Sequence, residues 1–324
     1  MIHEIEPEKY DPSFKNIPAS DEDYALCYKK DQIFAFIEGG RVFLPRFKEL
    51  KGLPESAGEY EEIKNNAYYL FDISGRKYFL AEPDLSSFPL SESREALFND
   101  YGKSEARTFF LMNINKFREL MTKEEMFHDG SLGAAGSPSV PMIFAAATGG
   151  HMAWWKRSRS FCGFCGTKAV PSETERAMIC PKCGNIEYPK ISPAVITAII
   201  KRGRVPSEDR ILLVRNNYGS YRKLALVAGF VEIGESFEQA VHREIAEEVG
   251  LKVKNLKYYK NQPWGLSYSQ MIGFTAELDG DDTIRLQESE LSEGGWYLRE
   301  EVPDNPFRLS VGNEMIHRFK CGEL

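Results

Sequence analysis

One segment constrains this chain more than any other. Gly229-Phe-Val-Glu-Ile-Gly-Glu235 leads through Ser236 into a run of helix-compatible residues that ends at Gly250. Ser236, followed three residues later by Gln239, fits a capping box. Gly250 sits where a helix C-terminus needs a left-handed residue. The pattern therefore predicts a helix over 236–249. Its apolar side, Phe237, Ala240, Val241 and Ile245, has to be buried. Glu244, Glu247 and Glu248 fall at i, i+3 and i+4, on one side and within a turn of each other. Like charges at that spacing repel, so a helix with only a packing role gains by separating them. Hard divalent cations want clustered carboxylate oxygens. Most acidic runs are solvated faces, but here a glycine-bounded loop, a cap and a terminal glycine all agree on a built site.

The second constraint is Cys162, Cys165, Cys180 and Cys183, spaced Cys-x2-Cys, a gap of 14, then Cys-x2-Cys. Each pair can form a knuckle with both sulfurs facing one ion, and Gly163, Gly166 and Gly184 offer permissive backbone for such turns. Four thiolates close a tetrahedral Zn²⁺ site, one ion per chain, with no open position for catalysis. A staple that ties a small segment into the fold is favoured over nucleic-acid recognition by a ribbon. Cys27 and Cys321 stand apart and read as ordinary thiols.

Around these landmarks the 324 residues divide into an N-terminal α+β domain (1–155), a zinc ribbon (156–190) and a further α+β domain (191–324). In the first, apolar runs flanking Glu38-Gly39-Gly40 and Ser74-Gly75 predict hairpins. Ile114–Met121 has helical periodicity. Asp129–Pro141 reads as a loop, and Met142–Trp155 as a helix weakened by Gly149-Gly150. No catalytic constellation is visible there, and a structural or dimerising role is expected. In the third domain, strands are expected at 194–200, 211–214, 224–228, 257–259 and 270–276, with a closing helix at 314–320. The formal net charge of −7 excludes a generic polyanion binder. No apolar stretch has the length needed to span a bilayer or serve as a signal peptide. No membrane partner is expected, and a cytoplasmic location is, where reduced thiols suit a metal site.

Residues 229–251 resemble the Nudix box, Gly-x5-Glu-x7-Arg-Glu-U-x-Glu-Glu-x-Gly-U with U aliphatic, at every fixed position. The resemblance implies a Nudix α/β/α sandwich that hydrolyses nucleoside diphosphates linked to another group. It further implies that Glu244, Glu247 and Glu248 bind Mg²⁺ or Mn²⁺, and that Glu235 and Arg243 brace the loop. Glu290, upstream of Trp296-Tyr297, aligns with a further metal-site glutamate and is a candidate ligand or general base. The four-Cys ribbon just upstream resembles the NADH pyrophosphatase branch, whose members also act on NAD-capped RNA. Asn261-Gln262-Pro263-Trp264-Gly265-Leu266-Ser267-Tyr268-Ser269 resembles that branch's Ser-Gln-Pro-Trp-Pro-Phe-Pro-x-Ser, matching at Gln262, Pro263, Trp264 and Ser269. Tyr188-Pro189 and Trp154-Trp155 fall near matching family positions. By resemblance, those four matched residues line the nucleotide pocket, with Tyr188 and Phe230 stacking on a base.

The expected reaction is hydrolysis of the pyrophosphate bond of NADH or NAD to nicotinamide mononucleotide and AMP, with NAD-capped RNA as a further substrate. The resemblance also implies a homodimer, for which the sequence carries no independent signal. Gly265-Leu266-Ser267 replaces Pro-Phe-Pro, which keeps open a Nudix hydrolase acting on ADP-ribose or coenzyme A. The basic, aromatic stretch Trp154–Arg159 supports a third reading, a nucleic-acid-binding regulator. The intact glutamate cluster and the overall acidity oppose that reading.

Overall fold

The computed structural model describes residues 1–38, 41–90, 107–121, 139–217, 223–303 and 309–324, with the side chains of residues 119–121 and 139 left aside. Gly39-Gly40 and the 129–138 part of the expected loop lie outside the described residues. The chain forms two compact units. One holds Met1, Ile191–Trp264 and Tyr268–Leu324, and the other holds Ile2–Lys190 with Gly265–Ser267.

The first of these units is built on a six-stranded sheet. Its elements in chain order are β1 (Ser192–Lys201), β2 (Arg210–Asn216), β3 (Val227–Phe230), α1 (Phe237–Val249), β4 (Val253–Trp264), β5 (Ser269–Leu278), β6 (Leu291–Leu298) and α2 (Val311–Lys320). The order across the sheet is β4-β5-β1-β2-β6, with β3 pairing the other end of β1. β1 is the pivot. It runs parallel to β5 and antiparallel to β2 and β3.

Alternation along β1 and β2 divides the core. Val195, Ile199, Leu212 and Val214 pack with Ala240, Val241, Ile245 and Val249 of α1. Ala198, Ile200, Ile211 and Leu213 pack with Val311, Met315, Ile316 and Phe319 of α2. A strand that is apolar on both faces needs a cover on each, and the two helices supply them. This is the α/β/α sandwich that the resemblance to the Nudix box implied.

The second unit holds two four-stranded sheets and the ribbon. Both expected hairpins are present, as Gln32–Glu38 with Arg41–Phe43 and Tyr68–Ile73 with Arg76–Leu80. Phe34, Phe47, Tyr69, Phe79 and Leu111 form its main core. The long helix spans Ser139–Ser158, so Ser139–Pro141 are helical and not part of a loop. Its Gly149-Gly150 pair does not break it. A Cβ on Gly149 would lie 2.4 Å from Leu26 Cδ1 and 2.6 Å from the Tyr28 hydroxyl. The pair therefore seats Tyr28, whose hydroxyl donates to the Ala146 carbonyl at 2.7 Å. Among the described residues, no helix is long and apolar enough to cross a membrane.

Candidate active site and metal centre

The loop between β3 and α1 is organised by one arginine. Arg243 donates from Nε and Nη2 to the two carboxylate oxygens of Glu235 at 2.8 and 2.9 Å. Nη1 reaches Glu244 at 2.8 Å and Glu247 at 3.1 Å, and Nη2 also reaches the Phe230 carbonyl at 2.9 Å. Glu235 in turn accepts from the Glu232 amide at 3.0 Å. The bidentate contact with Arg243 holds the Glu235 carboxyl down at about 2. Arg243 thus ties Glu235 to the Phe230 carbonyl, one contact at each end of the loop.

α1 begins and ends as expected. Ser236 accepts from the Gln239 amide while Gln239 reaches back, and Gly250 closes the helix at φ 69°. Glu248 turns inward on this helix. It is 5% exposed and has no basic partner among the described residues. Burial first, then the charges of Glu244, Glu290 and Glu247, push its carboxyl up to about 8. Burial also raises Glu244, although Arg243 opposes that rise.

Glu290 arrives from a different part of the chain. The amides of Arg285 and Gln287 donate to the carbonyls of Val249 and Glu248, each at 2.9 Å. These carbonyls are among the unpaired acceptors of the helix end. The segment that satisfies them turns at Gln287 and delivers Glu290 close enough to raise both Glu244 and Glu248. Sequence reasoning left residues 291–298 without a strand, because Gly294-Gly295 interrupts the apolar pattern. In the fold this stretch is β6, paired along β2.

Gly229 explains itself sterically. A Cβ there would lie 1.9 Å from Glu244 Cδ. The obstructing atom ends a flexible side chain, so a methyl displaces the carboxylate and leaves the strand in place. Gly229→Ala should therefore cut kcat/KM by about 100-fold with little change in Tm. Equal loss of activity and of thermal stability would count against this account.

The other sequence candidates separate into three groups. Phe230 is exposed at the end of β3, and Tyr188 is exposed with its hydroxyl 3.4 Å from Glu175. Pro263 is exposed and Trp264 half-buried at the end of β4, a strand that extends the expected 257–259 run in both directions. Gln262 and Ser269 are the two that lie buried. Gln262 is 0% exposed, and its amide donates to the Leu309 carbonyl at 2.9 Å and accepts from the Val311 amide at 2.8 Å. It pins the start of α2. Ser269 is buried too, where β5 begins beside Trp264.

The four cysteines meet in the ribbon. Sγ–Sγ distances of 3.5–3.6 Å link Cys165 to Cys180 and Cys183, and Cys162 to Cys183. Those distances are far beyond a disulfide bond. They approach the roughly 3.8 Å edge of a tetrahedron built from Zn–S bonds of about 2.3 Å. Among the described residues, this is the one group of three or more such donors whose ligand atoms all lie within 4.8 Å of one another.

The knuckles are near copies. Gly166 and Gly184, at φ 70° and 76°, donate to Cys162 and Cys180 carbonyls at 2.9 and 3.0 Å. Backbone amides of Phe164 and Cys183 approach the first sulfur of each pair at 3.4 and 3.5 Å. Gly163, expected to help the turn, has no positive φ. The cysteines fit a structural Zn²⁺. The carboxylates of Glu244, Glu247, Glu248 and Glu290 do not form so close a group, and what points to a cation among them is Glu248, buried with no basic partner among the described residues.

The NUDIX domain family matches residues 193–318, and the NADH pyrophosphatase zinc ribbon domain family matches residues 157–188. The "NAD-capped RNA hydrolase NudC" of Chromobacterium violaceum is 39% identical over 188 residues, covering 57% of this chain and 68% of that protein. The protein of the same name from Escherichia coli O9:H4 (strain HS) is 38% identical over 197 residues, 60% and 74% of the two chains. A solved Nudix hydrolase from Nitrosomonas europaea has 25% identity and a TM-score of 0.39, over 49% of this chain and 90% of that one. The chain belongs to the Nudix hydrolase family, in the branch that carries the NADH pyrophosphatase zinc ribbon.

Proposed function

We propose that this protein hydrolyses the pyrophosphate bond of NADH and NAD to nicotinamide mononucleotide and AMP, and removes NAD caps from RNA. The observation that carries this reading is Glu248, a buried carboxylate with no basic partner among the described residues, which feels the charges of Glu244 and Glu290 in an intact Nudix box. The relatives' names and the ribbon add the substrate class.

In this proposal Glu244, Glu247, Glu248 and Glu290 hold Mg²⁺ or Mn²⁺, and Glu290 also serves as candidate general base. The metal, when bound, polarises phosphoryl oxygens and lowers the pKa of bound water. Water attacks one phosphorus, the bridging P–O bond breaks, and each product keeps one phosphate. Arg243 and Glu235 fix the loop so that the carboxylates stay in place as the cation enters. Cation binding at Glu248 must displace its proton near neutral pH. Phe230, Tyr188, Pro263 and Trp264 are proposed to contact the nucleotide. Gln262 and Ser269 act from behind, by holding α2 and β5.

The division at 1–155, 156–190 and 191–324, a homodimer and a cytoplasmic location complete the proposal. The test is AMP release from NADH with Mg²⁺ or Mn²⁺, run beside ADP-ribose and coenzyme A. NADH should give the highest kcat/KM. Cleavage of another nucleoside diphosphate but not NADH would remove the substrate assignment and leave the hydrolase assignment standing.

A further inference from the structure

The two knuckles of the ribbon share a backbone and differ at their tips. Cys162-Gly163-Phe164-Cys165 presents Phe164 where Cys180-Pro181-Lys182-Cys183 presents Lys182. Both tips flank one thiol cluster, so an aromatic ring and a cation stand at the same end of the ribbon. Phe164 is 85% exposed. Phe161 is 64% exposed and bridges across to Lys168, which is also exposed. Single exposed apolar residues need no explanation. Two phenylalanines interleaved with two lysines at one metal centre do.

The charge around them is equally uneven. Residues 156–190 carry seven Lys and Arg against three Glu, in a chain whose net charge is −7. A four-thiolate zinc centre removes two of those positive charges and leaves the segment basic. Most of the ribbon's other bases are engaged. Lys156 pairs with Glu82, Arg159 pairs with Glu187, and Arg176 donates to the Leu70 and Pro12 carbonyls. Lys168 and Lys182 have no ion-pair partner among the described residues. Aromatic faces with nearby cations suit unpaired bases on a charged backbone, because every base can stack and every phosphate is anionic. A second copy of this chain fits less well, since a two-fold contact through this patch sets lysines against lysines.

We propose that the metal end of the ribbon, through Phe161, Phe164, Lys168 and Lys182, is a contact surface for single-stranded RNA. It would hold the body of a transcript whose NAD-capped end is cleaved. That last step rests on the function proposed above, whereas the contact itself does not.

The probe is a short, uncapped, fluorescein-labelled single-stranded RNA, followed by anisotropy with the zinc-loaded full chain. The double variant Phe164→Ala, Lys182→Glu should raise Kd about tenfold or more and lower the salt dependence of binding. NADH turnover and zinc content should stay as in the wild type, because the knuckle bonds run through backbone amides. Lys168→Glu, outside both knuckles, should weaken RNA in the same direction and decides the matter if the double variant loses zinc. Unchanged RNA affinity in Lys168→Glu and in a zinc-loaded double variant overturns the proposal, as does a wild type that binds no RNA at low salt. A changed oligomeric state with unchanged RNA affinity also overturns it and gives the surface to a second copy. Normal binding of uncapped RNA with no cleavage of capped RNA supports the surface and refutes only the decapping reading.

Discussion

Glu248→Gln should lower kcat/KM for NADH by about a thousandfold or more, with fold and zinc content intact. Metal-assisted charge stabilisation contributes several kcal/mol to such a reaction, and each 1.36 kcal/mol is about tenfold in rate. Gln has nearly the same shape but no charge to hold a cation. The same substitution should have an opposite effect on the metal-free protein. The Glu248 carboxyl is raised from an ordinary 4.5 to about 8 in the fold. Between those values the folded state keeps a proton that the unfolded state has released. This group's contribution is therefore most favourable below the unfolded pKa and is lost as pH rises through the folded one. Gln cannot ionise and escapes that loss. Without divalent cations, the variant should gain on the wild type by roughly 4 kcal/mol between pH 5 and pH 9, read as a Tm difference that grows with pH. Saturating Mg²⁺ or Mn²⁺ should reverse the order, because only the wild type binds it tightly. A Tm difference that does not change with pH would show that Glu248 is not forced to ionise in an apolar setting.

The box and the cysteine ribbon were legible because their chemistry is local. Ser236, Gln239 and Gly250 act within one helix, and Cys162 to Cys183 lie within 22 residues, so spacing alone sets the geometry. Arg243 and Glu235 were marked only through the resemblance to the Nudix box. What local spacing could not show was the task of Gln262. Its partners are backbone groups at 309 and 311, 47 and 49 residues away. A signature of pocket residues does not distinguish a side chain that faces the ligand from one that holds the wall behind it. β6 was hidden because Gly294 and Gly295 carry no side-chain pattern, although they pair with Val214 and Leu213 as a strand must. The helix over 142–155 was expected despite Gly149-Gly150, and it is present. The low helix propensity of the pair weakened that expectation, and close packing of Leu26 and Tyr28 accounts for the two glycines.

Removing zinc from the ribbon should unfold it locally and leave the hydrolase sheet folded. The ribbon's sheet has three strands of two residues each, Val170–Pro171, Met178–Ile179 and Ile186–Glu187. Its buried apolar set is small, with Trp155, Ala169 and Met178 at the centre. So little buried surface cannot offset the conformational entropy of some 25 ordered residues, at about 1.5 kcal/mol each. A structural Zn²⁺ site supplies on the order of 10 kcal/mol or more, enough to decide whether such a segment folds. The sheet of β1–β6 is independent of it, since the cores against α1 and α2 contain no ribbon residue. Cys180→Ser, or strong chelation, should therefore remove amide protection across 161–187 by at least about a hundredfold in hydrogen exchange. Amides of β1, β2 and β5 should keep theirs. Ribbon amides that stay protected without metal would mean that packing alone holds the knuckles. Loss of protection in both regions together would mean that the zinc supports the whole fold. The expected split assigns the four cysteines to local order and leaves the sheet that carries the glutamates standing on its own two cores.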